Sequence, residues 1–162
     1  MILFLNGAFG IGKSTVSRAL VERLPRAVLF DPEPLGIALQ RLRRVDDFQD
    51  LALWRRLTLL GLRCTRLLRP NVIVPLAISN AAYLAELRDG ASRFDARVLH
   101  VCLVAPFDVV RERLRRRGRD AGEWELRRAR ECCDAHGDPR FATQVSAERE
   151  PSAIVEELLA RL

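Results

Sequence analysis

The stretch Gly7-Ala8-Phe9-Gly10-Ile11-Gly12-Lys13-Ser14 decides how this chain of 162 residues is read. It satisfies G-x-x-x-x-G-K-[ST] at every fixed position, and Thr15 follows it. On its N-terminal side, Met1-Ile2-Leu3-Phe4-Leu5 is a short apolar run of the kind that forms a buried parallel strand. On its C-terminal side, Val16, Leu20 and Leu24 recur every four residues, with Ala19 beside them, which predicts a helix stopping at Pro25. Strand, glycine loop and helix in this order suit phosphate. Glycines let the backbone turn its N–H groups toward an anion, and the helix N-terminus adds its positive end. Lys13 would bridge the β- and γ-phosphates of a nucleotide, and the Ser14 hydroxyl would ligate Mg²⁺. The chain holds 27 Lys and Arg, of which Lys13 is the one lysine, leaving 26 arginines. So strong a bias leaves lysine where a compact ammonium is required and a planar guanidinium would not fit. Gly7, Ala8, Phe9, Gly10, Ile11, Gly12, Lys13, Ser14 and Thr15 therefore read as a nucleoside triphosphate cradle.

Length and composition bound the rest. The chain suits one domain spanning 1–162, large enough for a sound core. Hydrophobic content of 49% with 30% charged residues indicates a globular chain. No apolar run approaches the ~20 residues of a membrane helix, and no signal peptide is visible, so a cytoplasmic protein is expected. Cys64, Cys102, Cys132 and Cys133 match no zinc spacing and read as reduced thiols without catalytic duty. A net charge of +6 raises nucleic acid as a partner. No alternation of basic and aromatic residues supports it, and nucleic acid is disfavoured.

Further along, Ala27–Phe30, Asn71–Val74, Val98–Val104 and Ala142–Val145 read as strands. Helices are expected over Leu35–Leu42, Phe48–Leu68, Asn80–Arg88, Phe107–Arg117, Glu123–Ala135 and Ser152–Leu162. In the longest of these, Trp54, Leu57, Gly61, Cys64 and Leu68 form one stripe, and Leu53, Leu60 and Leu67 a second. That helix should be buried on more than one side, with Arg55, Arg56, Arg63, Arg66 and Arg69 on its wetter face. Alternating strands and helices imply an α/β fold with a parallel sheet covered on both faces.

In such a sheet, ligands gather at the carboxyl ends of the strands. Asp31 and Glu33 stand just past the second strand. Either could take a proton from an acceptor hydroxyl or hold Mg²⁺ through water, and either could instead cap the next helix. The catalytic reading is preferred for Asp31 and the capping one for Glu33. The run Arg111, Arg113, Arg115, Arg116, Arg117 and Arg119 could be a solvated helix face. Arg113 and Arg117, four apart, share one side that leads into Gly118-Arg119-Asp120-Ala121-Gly122, and a short lid near 118–123 could carry arginine to the phosphates. His100 reads as a core or sheet-end residue and His136 as an ordinary helix-terminal one.

Together these stretches resemble a family. Leu5-Asn6-Gly7-Ala8-Phe9-Gly10-Ile11-Gly12-Lys13-Ser14-Thr15 resembles the opening of the bacterial tunicamycin-resistance proteins, small ATP-binding proteins of the P-loop kinase fold. Phe30-Asp31-Pro32-Glu33-Pro34-Leu35-Gly36 is similar to their acidic segment after the second strand. Val72-Ile73-Val74-Pro75 and Val104-Ala105-Pro106-Phe107-Asp108-Val109-Val110-Arg111-Glu112-Arg113-Leu114 resemble their later strands and the helix leading to the lid. The wider fold family includes adenylate, shikimate and gluconate kinases and chloramphenicol phosphotransferase. The resemblance implies a three-layer P-loop kinase-like domain with a five-stranded parallel sheet in the order 2-3-1-4-5. It also implies Arg113 stacked on adenine, Arg117 facing the phosphates, Asp31 on the acceptor side, and the stretch around Ser146-Ala147-Glu148-Arg149 beside the base. One departure stands out: the third strand runs into Pro75-Leu76-Ala77 where many P-loop proteins place a Walker B aspartate.

The leading expectation is a kinase moving the γ-phosphoryl group of ATP to a hydroxyl of a metabolite or antibiotic, tunicamycin-like compounds being candidates through the resemblance alone. Its catalytic residues would be Lys13, Asp31 and Arg117, with ATP and Mg²⁺ as cofactors and a small-molecule acceptor as partner. A non-catalytic drug-binding protein that uses ATP to hold a closed state is the alternative. A nucleic-acid-associated ATPase is a second.

Overall fold

The computed structural model of the chain describes residues 1–116, 122–139 and 141–162. Residues 118–121 of the lid expected near 118–123, and the candidate Arg117, lie outside the described residues.

Five parallel strands form one sheet in the order β2-β3-β1-β4-β5. They are β1 (Ile2–Gly7), β2 (Ala27–Leu29), β3 (Asn71–Leu76), β4 (Val98–Val104) and β5 (Thr143–Ser146). Helices α1 (Lys13–Arg23), α2 (Glu33–Arg43), α3 (Ala52–Leu68), α4 (Ala81–Ser92), α5 (Phe107–Arg116), α6 (Glu123–His136) and α7 (Pro151–Arg161) connect and cover them. The strand order matches the one implied by the resemblance. All six residues of β1 are buried because the strand is central and covered on both faces.

The period of two along β1 divides the core. Leu3 and Leu5 point to one face with Val16 and Leu20 of α1, Val110 and Leu114 of α5, and Ile154 and Leu158 of α7. Ile2 and Phe4 point to the other with Trp54 and Leu62 of α3 and Leu84 and Leu87 of α4. The register Ile2↔Val72 on one side and Ile2↔Val98 on the other keeps like faces aligned across three strands. Because β1 lies between β3 and β4, the glycine loop at its carboxyl end opens at the centre of the sheet. That is where a doubly wound sheet offers a crevice.

Three details differ from the expected elements. The helix expected over Phe48–Leu68 is two pieces. A 3-10 turn over Phe48–Asp50 is capped by Asp47, whose carboxylate accepts from the Gln49 amide at 2.8 Å, and Leu51 is extended before α3 begins. The second leucine stripe is not buried: Leu53, Leu60 and Leu67 are 41%, 58% and 81% exposed, and Cys64 is exposed with them. Helix α3 packs through its Trp54, Thr58 and Leu62 side only. Arg55, expected on the wet face, is buried instead. Its guanidinium pairs with Glu86 of α4 at 2.6 Å and lies 4.1 Å from the centre of the Tyr83 ring. A partner on another helix, invisible to helical periodicity, compensates the charge.

Candidate functional site

The site starts from the loop between β1 and α1. Gly12 stands at the α1 N-terminus with φ +110, and Gly10 has φ +83, both in the left-handed region that side chains avoid. These two reversals turn the loop around the head of the helix. The first turn of α1 contains no acidic residue, and no side chain caps its N-terminus, so its amides face the loop's concavity. Lys13 folds back over the loop. Its Nζ donates to the carbonyls of Gly7 (2.7 Å) and Ala8 (2.9 Å) and lies 5.6 Å from the centre of the Phe9 ring.

A buried hub fixes the loop to the sheet. The Asn6 Oδ1 accepts from the amides of Gly7 (3.1 Å) and Ile78 (3.0 Å), and its Nδ2 donates to the Ile78 carbonyl at 2.9 Å. His136 Nε2 donates to the same carbonyl at 2.7 Å. The end of β1, the segment after β3 and the end of α6 thus meet at one carbonyl. Burial holds His136 in the neutral form and lowers its pKa to about 4. Its Nδ1 is among the buried polar atoms without a hydrogen-bond partner. Its role is structural and internal, unlike the ordinary helix-terminal histidine expected from sequence. Burial also lowers His100 to about 4 and pushes the Cys102 and Cys132 thiols up to about 12 and 11, opposing thiolate formation at either.

Gly12 borders two cavities. One, of about 210 Å³, is lined by Gly10, Lys13 and Ser14 of the loop, by Asp31 and Glu33 past β2, and by Phe48, Gln49 and Trp54 from the far wall. The second, of about 260 Å³, is lined by Ile11, Thr15, Arg113 and the segment Ala147–Pro151. Arg113 spans this second cavity. Its guanidinium donates to the Ile11 carbonyl at 3.1 Å and to the Ala147 carbonyl at 2.8 Å, joining the glycine loop to the segment after β5. The other described members of the arginine run form exposed pairs on α5: Arg111 with Asp108, and Arg115 and Arg116 with Glu112. The fold thus separates one inward arginine from a solvated face. Arg113 follows the buried Val110 and precedes the buried Leu114, so it lies on the inner side.

On the wall past β2, Asp31 stands one residue before the α2 N-cap, Pro32, and its Oδ1 accepts from the first α2 amide, that of Glu33, at 3.0 Å. It also lines the first cavity, so the capping reading and the site reading meet in one residue. The pKa of Glu33 is raised by desolvation in the cavity wall and by the neighbouring Asp31 charge, with Lys13 pulling it the other way. Trp54 is buried and also lines the cavity, its Nε1 donating to the Pro32 carbonyl at 3.0 Å. Gln49 was not singled out from the sequence, yet it is the most constrained part of this wall. Its Nε2 donates to Ala77 O at 3.1 Å, and its own carbonyl accepts from Arg55 at 2.6 Å. Arg128 of α6 bonds Gln49 from behind and pairs with Asp47 and Glu131. No local motif marks Gln49 or Arg128, because each derives its role from elements distant in sequence.

Strand β3 ends without a carboxylate, as its sequence implied: Pro75, Leu76, Ala77 and Ile78 line the cavity where an aspartate would stand. No three His, Cys, Asp or Glu among the described residues form a self-sufficient metal site. The donors that do converge are one hydroxyl, Ser14, and two carboxylates, Asp31 and Glu33, in the same cavity as Lys13. That set suits a hard cation that takes most of its ligands from phosphate and water, as Mg²⁺ does. None of the described helices is long and apolar enough to cross a membrane.

Comparison with known proteins agrees with this geometry. An AAA domain family model matches residues 2–135. The tunicamycin resistance protein of Deinococcus radiodurans is 31% identical, with a TM-score of 0.80 over 99% of this chain and 94% of that one. A gluconokinase from Sinorhizobium meliloti 1021 is 22% identical, with a TM-score of 0.66 over 98% of this chain and 89% of that one. A shikimate kinase from Acinetobacter baumannii, in complex with shikimate, is 19% identical, with a TM-score of 0.63 over 99% and 93%. The latter two are likenesses of fold. No curated protein matches the chain. With its glycine loop, its 2-3-1-4-5 sheet and these matches, the chain belongs to the AAA-domain family of P-loop proteins, among the tunicamycin-resistance-like members of the P-loop kinase fold.

Proposed function

We propose that this protein is an ATP-dependent small-molecule kinase that transfers the γ-phosphoryl group to a hydroxyl. One observation carries the reading: the loop that would cradle the phosphates and the carboxylate that would take a proton line a single cavity, which Lys13, Ser14 and Asp31 share. Structural neighbours that are small-molecule kinases support it.

In this reading the loop amides and Lys13 bind the β- and γ-phosphates, with Lys13 leaving the Gly7 and Ala8 carbonyls for them. The base occupies the second cavity against Arg113, whose two backbone bonds fix its plane. Asp31 receives the acceptor hydroxyl proton as the oxygen attacks the γ-phosphorus, and the bond to the β-phosphate oxygen breaks to release ADP. Mg²⁺, when bound through Ser14 and waters held by Asp31, supplies charge neutralisation across the transferred group. Arg117, outside the described residues, would take the role the resemblance implies for it, neutralising charge on the transferred group.

The absence of a carboxylate at the end of β3 favours a second reading, in which the protein binds ATP and a drug without transferring phosphate. One experiment separates the two. Candidate sugars, nucleosides and antibiotics are incubated with the protein, ATP and Mg²⁺ and weighed by mass spectrometry. A gain of one phosphate supports the kinase. ATP binding with no acceptor modified supports the binder.

A further inference from the structure

The acceptor cavity limits both the size and the charge of what it takes. Its volume of about 210 Å³ falls below the ~300–1,000 Å³ of sites for drug-sized ligands, and the phosphoryl group must share it. That leaves space for one ring. A multi-ring nucleoside antibiotic would project out of it.

Charge narrows the class further. An acidic acceptor needs a cation that can turn toward it, and the two described arginines behind the far wall are already held. Arg55 is fixed by Glu86, by the Gln49 carbonyl at 2.6 Å and by the Tyr83 face. Arg128 is fixed by Asp47 at 3.1 Å and Glu131 at 2.6 Å. Among the described residues lining the cavity, Lys13 is the one lysine or arginine, and the phosphates are its ligand in the kinase reading. Asp31 and Glu33 face it across the cavity, so an acceptor carboxylate would meet two like charges and no described partner. Hydroxyls, in contrast, can donate to both. Beside them, Phe48 and Trp54, the latter bonded to the Pro32 carbonyl, meet edge to face, 4.9 Å between ring centres, and with Ile78 offer an apolar floor for the C–H face of a ring.

We propose that the acceptor is a single-ring polyol bearing no anionic group, and that Glu33 is the residue that discriminates against acids. Asp31 accepts from the first α2 amide through one oxygen, and in the kinase reading it also serves the reacting hydroxyl and the Mg²⁺ waters. Glu33 is therefore the carboxylate that reads the rest of the ring. The proposal rests on the kinase reading above. It separates this chain from the shikimate kinase neighbour, whose bound shikimate is a carboxylic acid.

The test uses the full chain with ATP and Mg²⁺ and pairs of compounds matched except for charge: galactose with galacturonate, and methyl shikimate with shikimate. Myo-inositol and uridine complete the panel. Initial rates of phosphate gain are read by mass spectrometry, and ATP affinity by calorimetry. The uncharged member of a pair should react roughly 10-fold faster or more. In Glu33→Gln, which keeps the size of the side chain, that ratio should fall at least about 3-fold. Faster transfer to the acids overturns the proposal while leaving the kinase reading in place, and points to a cation beyond the described residues. Transfer to uridine alone overturns the single-ring limit. An unchanged ratio in Glu33→Gln, with a melting temperature like that of the wild type, overturns the assignment of Glu33. ATP binding without transfer to any compound overturns the kinase reading and this inference with it.

Discussion

The two walls of the site are built in opposite ways. The phosphate wall is local: residues 7–15 supply glycines at left-handed φ, a helix N-terminus without acids, and a lysine hydrogen-bonded to its own loop. The acceptor wall is assembled from Asp31 and Glu33 past β2, Gln49 in a 3-10 turn, Trp54 on α3, and Ala77 and Ile78 after β3. Its members are held by residues still further away, Glu86 and Arg128 among them. In the proposed kinase, the local wall serves a ligand that never changes, the polyphosphate. A composite wall can change one element at a time, which suits it to selecting an acceptor.

Breaking the local wall should have the largest effect. Lys13→Ala is expected to lower ATP affinity or turnover by roughly 10³-fold, since it removes the one charge placed inside the cradle. Thermal unfolding should change little. Titration calorimetry with ATP and Mg²⁺ measures the first, and wild-type affinity in this variant would refute the cradle.

Asp31→Asn tests whether the acceptor wall does chemistry. Asparagine still accepts the Glu33 amide, so the α2 cap survives and ATP binding should hold. Phosphoryl transfer should fall by roughly 10²-fold, the scale of a positioned acid–base group. Full turnover would leave Asp31 a cap only.

Asn6→Ala removes the tie between the two walls. It leaves the Gly7 and Ile78 amides without their acceptor in a buried setting and should cost about 2–3 kcal/mol in urea unfolding. A loss well below 1 kcal/mol would show that other contacts hold the loop to β3. Trp54→Phe keeps an aromatic floor but loses the bond to Pro32. The expected cost is about 1 kcal/mol, with acceptor KM raised and ATP affinity unchanged. A change in ATP affinity instead would mean that the walls are coupled.

The smallest effect is a pH dependence carried by the hub. His136 has a pKa near 4 in the folded state against 6.5 when unfolded, so the unfolded chain binds the proton first. Its contribution is complete above the unfolded pKa and is lost as pH falls from there toward 4. Between pH 7 and 6 the loss should be about 0.7 kcal/mol, read as the difference in unfolding free energy between the wild type and His136→Asn at each pH. His100, also lowered to about 4, mainly by burial, stays neutral in both folded proteins over this range, so its contribution is nearly the same in each. A variant that parallels the wild type would mean that His136 is not held neutral.

Periodicity carried the reading of the sheet and failed for α3. For β1, the unbroken apolar run Met1–Leu5 meant burial on both faces. For α3, Leu53, Leu60 and Leu67 have the same hydrophobic signal as Trp54 and Leu62, yet the helix buries one side and leaves that stripe in solvent. Arg55 shows the converse, a charge buried because Glu86 and Tyr83 of α4 receive it. Lys13, Ser14 and Asp31, singled out by their offset from a strand end or motif, line the first cavity, and Arg113, pointed to by the resemblance, lines the second. Gln49, Arg128 and the Asn6–His136 hub were not legible in this way, since the partners that tie them into the site lie 28 to 130 positions away.

The sequence by itself marked the glycine-loop motif and the class of fold, and the family resemblance it carries implied the order of the strands. Glycine, lysine and serine at fixed spacing, between an apolar run and a helical stripe, have one economical arrangement in space. The tertiary structure alone decided which arginines are spent on carboxylates, which face of α3 is covered, and how wide the acceptor cavity is. Those outcomes depend on distances between elements that no local pattern encodes. A buried charge and a closed pocket are set by whatever the fold brings to within about 3 Å of them.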